Sequence, residues 1–224
     1  MVIWAPARKD TIGSLADEIL HNYSRGRIVV AIDGDSGSGT ELFANGLAEM
    51  LIRRGHSAFR ASINGFHRPR DERYLRGQDS AVGYYRDAYD YSVLRRVLVE
   101  PFRMGGSTAF VTSAFDVQAN AQVEPKWITG PDAAILIIDG EFLNRPELRG
   151  LWNFSVWLDA PAAADKNPDG DPDAHQDGDG HRGEQRYTGA QELYRAEANP
   201  RSTASAIINN SDPDHPRRVF ADSC

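Results

Sequence analysis

The sequence predicts an α/β fold, a doubly wound and mostly parallel sheet with helices on both faces. Three observations carry this. IVVAIDGDSGSGTELFANGLAEML, residues 28–51, runs from a wholly apolar strand through a glycine-rich turn into an amphipathic helix. AAILIIDGEFL, residues 133–143, is a second apolar strand and ends in Asp139 and Gly140. FSVWLDA, residues 154–160, is a third. Strands apolar on both sides belong inside a parallel sheet covered on both faces. Such sheets take their ligands at the carboxyl ends of the strands, where the glycine turn and Asp139 both fall. The 224 residues suffice for one domain of this kind, read as 1–224.

The other elements follow from periodicity. DTIGSLADEILHNYS, residues 10–24, places Ile12, Leu15, Ala16, Ile19 and Leu20 on one helical face. After the strand at 28–32 and the glycine turn, a helix at 41–54 turns Leu42, Phe43, Leu47, Met50 and Leu51 inward. SAFRASI (57–63) is a strand. Residues 64–92, dense in Arg, Asp, Tyr and Gly, suit a substrate-facing region better than a core. YSVLRRVLVEPF (91–102) is a helix, and STAFVTSAFDV (107–117) forms short strands or a hairpin. Residues 165–184 hold six Asp and no aliphatic side chain larger than Ala, so this acidic insert cannot bury a core and is expected to be flexible. EQRYTGAQELYRAEANP resumes as helix, SAIINN (205–210) is a short strand, and a polar tail follows. Trp4, Trp127, Trp152 and Trp157 are expected at core or edge positions.

The net charge of −7 argues against a general nucleic-acid partner, which would need a basic surface. The one cysteine, Cys224, excludes a disulfide within the chain and fits a reducing cytoplasm, the location expected here. No run of 18 apolar residues predicts a membrane span, and MVIWAPARKD does not read as a signal peptide.

The glycine turn has the spacing of a phosphate-binding loop, G-x-x-x-x-G-K-[ST]. Gly34, Asp35, Ser36, Gly37, Ser38 and Gly39 supply the first six positions. Glycines let backbone N–H groups curl around phosphate oxygens, and the helix N-terminus adds partial positive charge. The last two positions depart. Thr40 stands where a lysine would neutralise charge on the outer phosphates, and it offers one neutral hydrogen bond. Glu41 stands where a hydroxyl would hold Mg²⁺; its carboxylate could bind the ion but would repel a triphosphate. Loss of a charged donor at such a place costs on the order of 2–4 kcal/mol in a transition state. Asp139, read from its place alone, could cap a turn after its strand.

Beyond the loop, RASINGFHRPRDERYLRGQDSAVGYYRDAYDYSVLRRVLVEPF, ILIIDGEFLNRPELRGLWNFSVWLDAP and QRYTGAQELYRAEANPRSTASAIINNSDPDHPR occur in that order. These blocks resemble the uridine kinase-like P-loop nucleoside kinases over about residues 10–218, the insert excepted. The resemblance implies a P-loop NTPase fold with a mobile lid, and transfer of the ATP γ-phosphate to a nucleoside or similar small hydroxyl compound, with Mg²⁺. It implies that residues 34–40 cradle phosphate and that Asp139 faces the metal. It also implies that His67, Arg68, Tyr84, Tyr85, Arg86 and Asp87 line the acceptor site, where the tyrosines read equally as packing.

Further departures fall on the family's catalytic parts. The carboxylate that takes the acceptor's proton corresponds to Asn64, and an amide cannot act as that base. The next acid corresponds to Gly65. Asp71, Asp87 or Asp90 could substitute if the fold brings one within reach. At the lid, where relatives place arginines, the acidic insert leaves His181, Arg182 and Arg186. Within the insert, Asp173, His175, Asp177, Gly178 and Glu184 partly match a calcium loop, with His175 wrong for its third position; a solvated acidic loop is the plainer reading. Two functions are thus open: an ATP-dependent kinase of altered chemistry, or a pseudokinase that binds a nucleotide, a metabolite or a partner protein.

Overall fold

The structure, a computed structural model, describes residues 6–23, 25–161 and 181–220, with side chains from residue 185 onward in the last segment. Most of residues 165–184, including the calcium-loop positions Asp173, His175, Asp177 and Gly178, and also Trp4, lie outside the described residues. Six strands form one sheet in the order β2-β5-β1-β6-β7-β8. They are β1 (Arg27–Gly34), β2 (Ala58–Ser62), β5 (Ala134–Gly140), β6 (Phe154–Asp159), β7 (Ala206–Asn209) and β8 (Arg217–Val219). β1 lies in the middle and pairs in parallel with β5, Val29 opposite Leu136, and with β6, Ala31 opposite Ser155.

Alternation along these strands feeds two cores. Val29 and Ala31 of β1, with Leu136 and Ile138 of β5, face one cluster. Ile28, Val30 and Ile32, with Ile135 and Ile137, face the other. The second core is closed by α1 (Arg8–Asn22) and α2 (Thr40–Arg53) through Ile12, Leu15, Ile19, Phe43 and Leu47. The first is closed by α4 (Ala81–Asp87), α5 (Tyr91–Leu94), α6 (Glu100–Met104) and α7 (His181–Ala198). Short α3 (Arg70–Arg73) precedes α4, and α8 (Pro200–Thr203) leads into β7. This is the doubly wound parallel arrangement that the three apolar strands predict.

Several details differ from the expectation. α5 and α6 are joined by a π-helical turn at Arg95–Val99. Pro101 has no N–H for the carbonyl of Val97, and that carbonyl accepts instead from the N–H of Val111 at 2.9 Å. The π turn thus ties the helix to the following segment. Of the short strands or hairpin expected at 107–117, β3 (Phe115–Asp116) lies inside that range, and its partner β4 (Ala121–Gln122) lies beyond it. The tail read as polar supplies β8, which adds antiparallel to the edge of β7; two arginines masked its strand character. α7 begins at His181, inside the segment read as flexible. Residues 64–92 also lend side chains to the core: Phe66, Tyr84, Tyr85 and Tyr89 are buried, and so are His67 and Arg73. Trp157 is buried but Trp127 is exposed. No described helix is long and apolar enough to cross a membrane.

Candidate functional site

The phosphate loop follows β1 directly. Gly37 and Gly39 adopt φ of 74° and 84°, a region that favours glycine. Gly39 precedes α2, whose first-turn amides have no partners within the helix. Ser38 N–H donates to Asp35 C=O at 2.9 Å, curling the loop. Asn210, at the end of β7, donates its Nδ2 to Ser38 C=O at 2.7 Å and clamps the loop from the far side. The Ser36 and Ser38 hydroxyls are buried without partners among the described residues. Buried hydroxyls left without partners, beside glycine amides at a helix N-terminus, fit a phosphate group.

A cavity of about 190 Å³ opens at this loop. It is lined by Asp35, Ser36, Gly37, Gly39, Thr40 and Glu41 of the loop, Ser62 and Asn64 after β2, and Asp139, Gly140 and Glu141 at the end of β5. The sheet brings the loop, Asn64 and Asp139 together because their three strands are neighbours. Four carboxylates line the cavity, and no Lys or Arg does among the described residues.

Two of these carboxylates are held by arginines from outside the lining. Arg195 of α7 pairs with Asp35, and Arg60 of β2 pairs with Asp139. Burial pushes both carboxyls above their ordinary range, and the arginine in each case pulls back against it. Glu141 accepts from the Tyr84 hydroxyl at 3.3 Å. Asn64 Oδ1 accepts from the Tyr89 hydroxyl at 3.2 Å, and the two tyrosine hydroxyls are 3.5 Å apart. A polar line thus runs from Asn64 to Glu141 under the cavity.

Just before the loop, Asp33 is fully buried. Its Oδ2 accepts from Asn144 N–H at 3.0 Å, from Asn144 Nδ2 at 2.7 Å and from the Tyr194 hydroxyl. Its Oδ1 has no partner among the described residues. Burial pushes this carboxyl up to about 7, against the pull of those hydrogen bonds. Consecutive residues Tyr194 and Arg195 therefore fasten α7 to both ends of the turn that enters the loop.

The remaining candidates sit elsewhere. His67 is buried, with Nδ1 at 3.1 Å from Ala88 C=O, and it lines a second cavity beside Phe66 and Trp127. Arg68 binds Tyr89 C=O and Glu72. Tyr85 is covered by the guanidinium of Arg145, 4.5 Å from its ring centre. Arg86 pairs with Glu197 and Asp87 with Arg76. Asp90 caps α5 through the N–H groups of Ser92 and Val93. Arg186 is buried, its guanidinium 4.8 Å from the Tyr84 ring centre; the side chain of Arg182 lies outside the described residues. Asp71 is exposed on α3. None of these lines the loop cavity.

Gly65 has a steric reason. A Cβ there would lie 2.8 Å from Ser113 Oγ and 3.2 Å from Ser113 Cα, and Gly65 C=O accepts from Ala114 N–H at 2.8 Å. The segment before β3 fills the space that a second acid would need. Sequence reasoning missed Glu141, Arg60, Arg195 and Asp33. Glu141 was signalled by its place directly after the strand-ending Asp-Gly, and Arg60 by being the lone charge in a strand. Arg195 gave no signal.

Magnesium fits this donor set poorly. Asp139 is engaged by Arg60 and Asp35 by Arg195, and the exposed Glu41 would set its carboxylate against a triphosphate. No three His, Cys, Asp or Glu among the described residues are grouped so as to hold a metal ion.

A parallel sheet with helices on both faces and a glycine loop entering a helix after the central strand defines the fold of the P-loop kinases. Among solved structures, the chain is similar to a possible uridine kinase from Bacillus stearothermophilus, at TM-score 0.72 and 25% identity over 89% of this chain and 97% of that one. It is also similar in fold to a candidate fructose transport system kinase from Silicibacter sp. TM1040, at TM-score 0.59 and 22% identity over 87% and 95% of the two chains. The YGR205w protein matches at TM-score 0.60 and 16% identity over 95% and 99%. No family model matches the chain, and a search of curated proteins finds no relative.

Proposed function

We propose that this chain is a lapsed P-loop kinase: it binds the phosphates of ATP or a related nucleotide at residues 34–40 but does not transfer the γ-phosphate. The observation that carries the reading is the lining of the loop cavity, where the amide cradle is intact and the charged side chains of transfer are not. Thr40 brings no charge to the outer phosphates. Asn64, in the place of the proton acceptor, is an amide engaged by the Tyr89 hydroxyl. Asp87 and Asp90, the nearby acids that could have replaced it, serve an ion pair and a helix cap. Lysine, metal hydroxyl and base act as one unit, and effects on such a unit are far from additive. The protein's own residues would orient the nucleotide through loop amides and the Ser36 hydroxyl, with Asn210 holding the loop in shape.

One observation favours a second reading, an active kinase for a nucleoside or other small hydroxyl compound. Glu141 is a buried carboxylate in the same cavity as Asn64 and could accept the proton there. Calorimetric titration with ATP, with and without Mg²⁺, followed by assay of ADP formation against a nucleoside panel, separates the two. Binding with no ADP above the protein-free rate supports the first. ADP formed in the presence of a nucleoside establishes the second, and no binding at about 1 mM ATP retires both.

A further inference from the structure

We infer that Arg60 has taken the carboxylate that would hold a divalent cation, so that the phosphate loop accepts its ligand metal-free; this rests on the reading that the loop binds a nucleotide. Arg60 lies mid-strand in β2, opposite Ile137, two residues before the Ser62–Asp139 pair at the carboxyl edge. Its side chain shares the sheet face covered by α2 and is fastened at three points. Nη2 pairs with Asp139 Oδ1, while Nη1 reaches Asn45 Oδ1 and, at 3.4 Å, the Glu41 carbonyl. The guanidinium therefore bridges the end of β5 and the N-terminal part of α2.

The chemistry is one of substitution. Arginine keeps its charge at every working pH and presents donors in a rigid fork suited to a carboxylate. Its side chain is 21% exposed and that of Asp139 only 3%, so water screens the pair weakly. Arg60 holds Oδ1 of Asp139 and sets a fixed positive charge where a divalent ion would approach that carboxylate. Arg60 Nε–H is buried with no acceptor among the described residues. Arg195 repeats the pattern at Asp35. Both buried Asp carboxylates of the cavity are thus neutralised by the chain itself.

The test uses the whole protein, with ATP and Mn²⁺ as separate probes. ATP affinity in EDTA is expected to match that in Mg²⁺ within about threefold, and a gain of about tenfold or more with Mg²⁺ overturns the inference. Titrated with Mn²⁺ alone, the wild type is expected to bind none at about 1 mM, whereas Arg60→Gln, which frees Asp139, gains one bound ion and Arg60→Lys does not. Wild-type protein that binds Mn²⁺ as tightly as Arg60→Gln overturns it. If ATP binds under no condition, the nucleotide reading falls, and the Mn²⁺ titrations still decide whether Arg60 excludes the metal. Thermal melts check the folding of both variants. Should Arg60→Gln fail to fold, the wild-type titrations decide alone.

Discussion

Replacing Asp33 by Asn tests the electrostatics beneath the loop. Asp33 ordinarily titrates at 3.8 and is pushed up by burial to about 7. Between those values the native state holds a proton that the unfolded chain has released, so stability falls as pH rises through this window. The gap, 7 minus 3.8, at about 1.4 kcal/mol per pH unit, is about 4 kcal/mol of stability lost by pH 8. An uncharged amide at this position would remove that loss. Its carbonyl can accept the three hydrogen bonds now made to Oδ2, from Asn144 N–H, Asn144 Nδ2 and Tyr194. Its NH₂ group would replace Oδ1, which has no partner, and a buried unpaired N–H costs about 1–3 kcal/mol. The variant is therefore expected to be about 1–3 kcal/mol more stable than wild type at pH 8. Only part of the loss has accrued at pH 5, so the difference between variant and wild type should grow by about 3 kcal/mol from pH 5 to pH 8. Urea unfolding followed by fluorescence of the buried Trp157 measures both. An Asp33→Asn difference that is equal at the two pH values would refute the assigned ionisation and the burial argument behind it.

Three other outcomes are expected. Thr40→Lys with Glu41→Ser restores the loop's charge and hydroxyl and should tighten Mg·ATP binding about tenfold, or about 1.4 kcal/mol, by calorimetry; no change would mean that the loop does not hold phosphate. Gly140→Ala places a Cβ against Ile63 Cγ2 at a φ of 140°, so urea unfolding should show a loss of about 1–3 kcal/mol. Gly65→Asp collides with Ser113 and should cost about 1–3 kcal/mol by the same assay, whereas Asn64→Asp, which keeps the side chain's shape and its acceptor for Tyr89, should stay within about 1 kcal/mol of wild type.

The sheet was legible because its central strands carry their burial in composition: 28–32, 133–143 and 154–160 are apolar on both faces, and only a covered parallel strand asks for that. The loop was legible because the glycine spacing is itself a backbone requirement, met at Gly37 and Gly39. β8 was not, since an edge strand with one solvent side needs no apolar run. The tyrosines of residues 84–91 read equally as ligand surface or as packing, and the Tyr84 and Tyr89 hydroxyls reach Glu141 and Asn64 while their rings fill the core. Polar tips on apolar bodies look alike in sequence whichever end does the work.

By itself, then, the sequence determined the fold class, the position of the glycine loop at the sheet's carboxyl edge and the absence of a lysine and a hydroxyl from the loop's last two positions, because each depends on local residue type and spacing. The tertiary structure alone decided how the remaining charges are spent. Arg60 and Asp139 are distant in the chain and meet because β2 and β5 are neighbours. Arg195 meets Asp35 across most of the chain's length because α7 returns over the loop. Pairings of this kind depend on strand order and helix placement, which no local pattern encodes, and they set which carboxylates remain free to meet a ligand.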